Sequence, residues 1–151
     1  MPRFQFRLQQ FLGVKEQIED QKEMEYGKAL QRLEEEKQKL RELNEQRLQT
    51  IEDLRQALTK AIAPIEIRRY NNSIERFKHH IKVQEERVTA AENFVEEKRQ
   101  ELVQAMKERK ALEVVKDSAM EEYLREMDLK ERKLVDELVS FKYTDKLKED
   151  E

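Results

Sequence analysis

The sequence has no cysteine and no tryptophan, and only two glycines and two prolines in 151 residues. Without cysteine there is no disulfide and no thiolate metal site, a pattern that fits a reducing compartment. So little glycine and proline leaves almost no turn chemistry, which excludes a fold of many short elements and requires the chain to run in long pieces. Aromatic residues make up 7% against 43% charged, too little apolar material for a large globular core. No apolar run approaches the ~20 residues of a membrane span, and Met1 to Leu12 lacks the unbroken apolar region of a signal peptide. The expectation is a soluble, cytoplasmic protein with no membrane insertion. Charge of one sign is missing as well: the formal charge is −3 with both signs interleaved. A long basic face able to displace nucleic-acid counterions is therefore absent, and no nucleic-acid partner is expected.

What the chain does hold is regular spacing of Leu, Ile, Val and Met in a background of strong helix formers, which argues for ordered helix rather than disorder. The one interruption after the N-terminus is Ala63-Pro64-Ile65, since proline has no amide to donate and clashes with the preceding turn. The expected fold is all-α: two long helices forming an antiparallel coiled-coil hairpin, as a single domain over residues 1–151. Helix 1 is placed at about 3–62, the turn at about 63–67 and helix 2 at about 68–143, with an acidic tail over 144–151. Starts for helix 2 at Pro64 and at Asn72, a possible cap with Glu75 three residues on, both remain open.

Along helix 1 a heptad stripe runs through Tyr26, Leu30, Leu33, Lys37, Leu40, Asn44, Arg47, Ile51, Leu54 and Leu58. Helix 2 carries Ile74, Phe77, Ile81, Gln84, Val88, Ala91, Val95, Lys98, Leu102, Ala105, Arg109 and Leu112. Antiparallel partners should have residue numbers of nearly constant sum. Pairing Leu58 with Ile74, Leu54 with Phe77, Ile51 with Ile81 and Leu30 with Leu102 gives 131 or 132 throughout, which centres the turn at Ile65–Glu66. In that register Arg47 faces Gln84 and Glu23 faces Arg109, so buried charge is paired. Nothing in helix 1 remains to cover helix 2 beyond about Met127, yet Leu134, Leu138 and Phe141 continue an apolar stripe.

Enzymatic chemistry has no support. Adjacent carboxylates such as Glu34-Glu35-Glu36 read as a solvated helix face, because two helices enclose no dry concave site. His79 and His80 are sequence neighbours and diverge by about 100° on a helix, so they cannot grip one metal. No catalytic residue, metal or cofactor is expected. Two regions stand out for binding. Around the turn, Arg68, Arg69, Arg76, Lys78 and Lys82 outnumber Glu66 and Glu75, making either a solvated tip or a docking site for an acidic protein surface. At the other end Phe4, Phe6, Phe11 and Leu12 crowd together, and Phe6 lies off the helical stripe, which points to an interface beside Leu134–Phe141.

Phe4-Gln5-Phe6-Arg7-Leu8-Gln9, followed by Leu12 and Lys15-Glu16, resembles the N-terminal signature of the flagellar type III export protein family FliJ. Tyr70 followed by Ile74, Phe77, Ile81 and Gln84, and Asp136-Glu137 after Arg125-Glu126 and Lys133, extend the likeness over the whole chain. The resemblance implies a non-enzymatic, stalk-like part of the flagellar export apparatus, similar to the coiled coil of the rotary ATP synthase γ subunit. It would be cytoplasmic and peripheral at the membrane-embedded apparatus. The implied partners are the hexameric export ATPase (FliI), the export gate protein FlhA and substrate-specific export chaperones, with the chain a monomer by itself. The implied ATPase contacts fall on Phe4, Phe6, Arg7, Leu8, Phe11, Leu134, Asp136, Glu137, Leu138 and Phe141, and the gate contacts on Ser73, Phe77, His80 and Gln84. The alternative is a generic coiled-coil spacer that homodimerises.

Overall fold

The computed structural model describes residues 3–150. Helix α1 spans Gln9–Ala57 and α2 spans Pro64–Glu149. The contacts fall into two compact units: a hairpin unit, residues 19–104, and a terminal unit, residues 1–18 with 105–151.

In the hairpin unit α1 ends at Ala57. The Thr59 and Lys60 amides then fold back on the carbonyls of Gln56 and Ala57, and the Thr59 hydroxyl donates to the Gln56 carbonyl at 2.6 Å. Pro64 opens α2, where its missing amide costs nothing and its fixed φ suits the first helical turn. The Ala63 carbonyl accepts from the Glu66 and Ile67 amides. The chain therefore turns over residues 58–63, just before the proline, and the expected turn at 63–67 is displaced. Of the two starts left open for helix 2, the structure adopts Pro64.

This relocation moves the register. Gln84, expected opposite Arg47, donates its amide instead to the backbone carbonyl of Glu36 at 2.9 Å and to its carboxylate. Lys22 reaches Glu101 at 3.3 Å and Glu25 reaches Lys98 at 3.6 Å. Relative to the expected pairing, these contacts shift α1 by eight to eleven residues, or ~12–17 Å at ~1.5 Å per residue. The α2 stripe over Ile74–Leu112 is buried or half-buried at every position as expected, but the α1 stripe alternates differently. Leu30 and Leu58 are exposed, at 42% and 55%, and Asn44 is exposed too, while Ala29, Leu43 and Ala57 face inward. Alanine in the seam lets two backbones approach closely: Ala29 and Ala91 are 2% and 7% exposed, and a larger side chain there would overfill the space. Ile81, Val88 and Gln84 complete the buried core of this unit.

In the terminal unit Leu12 and Ala105 are buried, and Lys15 bonds Glu108 at 2.9 Å. Residues 3–8 are not helical, contrary to the expected start near Arg3. Burial alternates strictly there: Phe4, Phe6 and Leu8 are half-buried, while Arg3, Gln5 and Arg7 are exposed. Polar and apolar residues alternate with period two in Arg3-Phe4-Gln5-Phe6-Arg7-Leu8, which suits extended chain and not helix. At the other end α2 continues to Glu149, and Asp150 still donates its amide to the Lys146 carbonyl at 3.2 Å. The acidic tail is thus helical over 144–149, and Glu151 lies outside the described residues.

Candidate functional site

The candidate surface is built from the terminal unit. Met127 is the last half-buried residue of α2, and every described residue from Asp128 to Asp150 is exposed. A helix gains its stability in water mainly by covering an apolar stripe, and this stretch covers none. Leu134, Leu138 and Phe141, at i, i+4 and i+7, extend the stripe of Tyr123 and Met127 and are 59%, 58% and 69% exposed. Val135 and Val139 form a second row about 100° round the helix, 57% and 61% exposed, with Leu129, Tyr143 and Leu147 beyond. These five residues fall off the single stripe through Leu134, Leu138 and Phe141 and so are not among the residues expected from the sequence. Counting every apolar residue after Met127 would have found them.

The N-terminal arm lies against the neighbouring part of α2. The Phe4 and Tyr123 rings meet at 5.4 Å between centroids with a 51° tilt, a common aromatic geometry. Phe4, Gln5, Phe6, Gln9 and Lys116 line a shallow crevice of about 400 Å³. Phe11 projects outward, 63% exposed, and Arg7, Asp136 and Glu137 are exposed. All ten residues expected to meet the ATPase therefore sit in one unit. They form two groups: a half-buried set, Phe4, Phe6 and Leu8, and a set open to a partner, Arg7, Phe11, Leu134, Asp136, Glu137, Leu138 and Phe141.

The residues expected to meet the export gate lie in the hairpin unit along one face of α2, at i, i+4, i+7 and i+11, but are not equally open to a partner. His80 is exposed, Ser73 and Phe77 are half-buried, and Gln84, 5% exposed, spends its amide on Glu36. That bond holds the Glu36 carboxyl below its usual range, helped by Lys39, Arg87 and Arg32 and opposed by partial burial. Lys98 and Lys22 lower Glu101 in the same way, and Glu101 in turn raises Lys98. Lys98–Glu101 lies along α2 and Lys39–Glu36 along α1, while Lys22–Glu101, Lys98–Glu25 and Gln84–Glu36 tie α1 to α2. The His79 and His80 rings stand 6.0 Å apart at a 57° tilt, both residues exposed. Among the described residues no group of carboxylates and histidines could hold a metal ion, and no helix is long and apolar enough to cross a membrane.

Two paired helices whose longer member runs on uncovered define a class of binding scaffold, able to present side chains to a larger partner. The comparisons name the class more narrowly. The family described as Flagellar FliJ protein matches residues 4–148, and the chain belongs to that family, a component of flagellar type III export. Among solved structures it is similar to CT670 from Chlamydia trachomatis, a proposed YscO homologue, at 25% identity with a TM-score of 0.57. That match covers 94% of this chain and 96% of the other. No curated protein sequence matches.

Proposed function

We propose that the chain is a non-enzymatic stalk of the flagellar export apparatus, whose terminal unit enters the hexameric export ATPase and promotes its assembly and turnover. The observation that carries this reading is the uncovered row Leu134, Leu138 and Phe141, continued past Met127 on the face that packs elsewhere in the same unit. A row of large apolar side chains in water is favourable only if a partner covers it. A ring of subunits around a central opening is a partner that can surround a lone helix, and Val135 and Val139 on a second face suit contact from more than one side. Arg7, Asp136 and Glu137 would set orientation and on-rate at the rim.

The hairpin unit would link the ATPase to the export gate FlhA and to export chaperones. Ser73, Phe77 and His80 are the more accessible of the family's gate positions, and Gln84 would serve the seam. The same uncovered row supports a second reading, a homodimer in which two copies cover each other. Adding the purified chain to the purified ATPase separates them. The stalk reading expects a complex on gel filtration and raised ATP turnover. A chain of doubled mass that neither binds nor stimulates the ATPase supports the spacer instead.

A further inference from the structure

The turn of the hairpin unit carries a charge that the rest of the chain does not. The whole chain is at −3, yet residues 52–82, which take in both sides of the turn, hold seven Lys or Arg against Glu52, Asp53, Glu66 and Glu75, and Glu52 is taken by Arg55 at 3.6 Å. Glu75 is taken by Lys78 at 3.2 Å, and Arg76 reaches the Ser73 hydroxyl at 3.3 Å. Lys60, Arg68 and Arg69 are exposed, and among the described residues no carboxylate pairs with them. Large apolar side chains stand among these cations: Leu58 is 55% exposed at the end of α1 and Ile65 is 61% exposed in the first turn of α2.

We propose that this turn docks on the surface of an anionic lipid bilayer, with Leu58 and Ile65 entering the headgroup region and Lys60, Arg68 and Arg69 held above it by acidic lipid. The shape of the turn favours this occupant. An acidic peptide needs a groove or a strand edge to lie in, and the depression at the start of α2, lined by Glu66, Arg69, Tyr70 and Ser73, is a shallow one that already holds a carboxylate. Nucleic acid needs cations strung along a track of phosphates, whereas these cluster round a convex bend. A bilayer interface accepts a convex element that offers cations and apolar tips together. With no helix able to span a membrane among the described residues, the association is peripheral. It uses no residue of the terminal unit and does not depend on the ATPase reading.

The test is sedimentation of the full chain with vesicles of phosphatidylglycerol mixed with phosphatidylcholine, against phosphatidylcholine alone. The expected result is binding to the anionic vesicles only, weakened by raising salt as the screening length shortens. Removing one surface cation weakens such binding by about fivefold, so Arg68→Gln with Arg69→Gln should lose roughly 30-fold. Ile65→Ser should weaken binding with no change in its salt dependence. Lys142→Gln with Lys146→Gln removes the same charge elsewhere and should leave binding within about twofold. All these positions are exposed, and circular dichroism verifies that each variant stays helical. Equal binding to both vesicle types, no binding to either, or equal loss in the Lys142/Lys146 control overturns the proposal. None of those outcomes touches ATPase stimulation, so the two readings fail separately.

Discussion

Gln84 on α2 reaches across the hairpin unit to Glu36 on α1, donating one amide group to both the backbone carbonyl and the carboxylate. It is a polar residue buried as deeply as the apolar Ala29, Ile81, Val88 and Ala91 of the same unit. Such a residue costs stability unless its partner is in place. The register in which Gln84 finds Glu36 is therefore favoured over neighbours in which it faces a hydrocarbon.

A pH dependence follows from that bond. Glu36 and Glu101 have folded values below the ordinary carboxylate value of 4.5, so their contribution is fully present above it and is lost as pH falls through the lower folded values. Lys98 lies above its ordinary 10.5; its contribution is complete below that value and fades as pH rises through the folded one. Gln84→Ala should lower the melting temperature at neutral pH. The gap from the parent should narrow in acid, where Glu36 is protonated in both. Thermal melts followed by circular dichroism across the acid range measure it, and a gap of constant size would show that the Glu36 carboxylate is not what Gln84 serves.

The register can be read chemically. Carbodiimide joins an amine to a carboxylate with no spacer, so it captures only pairs already in contact. Peptide mapping should return Lys15–Glu108 and Lys22–Glu101, which stand 2.9 and 3.3 Å apart. The pairing expected from the sequence would instead bring Lys15 beside Asp117 and set Lys22 against Lys110, which cannot couple. Recovery of a Lys15–Asp117 link in place of Lys15–Glu108 would restore the displaced register in the terminal unit.

Both glycines sit inside α1 with no positive φ, and a Cβ added at Gly13 or Gly27 meets nothing within 4 Å. Alanine has the higher helix propensity and narrows the unfolded ensemble. Gly13→Ala and Gly27→Ala should each stabilise by about 0.5–1 kcal/mol, seen as a higher urea midpoint at unchanged slope. A loss at either site would reveal a backbone approach or partner contact that needs the missing side chain.

The two helices and their antiparallel pairing were legible in the sequence because apolar spacing and the scarcity of glycine and proline both demand them. The α2 stripe from Ile74 to Leu112 was legible position by position, and so was its uncovering after Met127. Register was not, for two physical reasons. The pairing of the large apolar residues centres the turn at Ile65–Glu66, which sets Pro64 inside it, whereas a helix start at Pro64, also left open by the sequence, is the one adopted. Leu30 and Leu58 were also chosen for the α1 seam over Ala29 and Ala57, since size reads as burial in a sequence. Where two backbones close on each other, the small residue goes inside. The arm at Phe4–Leu8 was read as helix, leaving Phe6 off the stripe; its period-two alternation was the signal that places Phe4, Phe6 and Leu8 together.

Burial separates residues that hold the fold from those that would meet a partner, and this decides the clearest test of the proposed function. Ile81 is 8% exposed, and Ile81→Ala should cost roughly 2–4 kcal/mol of stability. Leu134, Leu138 and Phe141 are more than half exposed, where substitutions usually change stability by about 0.5 kcal/mol or less. Changing all three to Ser should leave helicity and the melting temperature close to those of the parent. If the ATPase covers this row, the same triple variant loses three apolar anchors, each worth about 1.5–3 kcal/mol on full burial, and stimulation of ATP turnover should disappear. Ile81→Ala should melt earlier yet still stimulate at temperatures where it remains folded. A triple variant that stimulates like the parent would move the ATPase contact off this row and onto the arm at Phe4–Phe11.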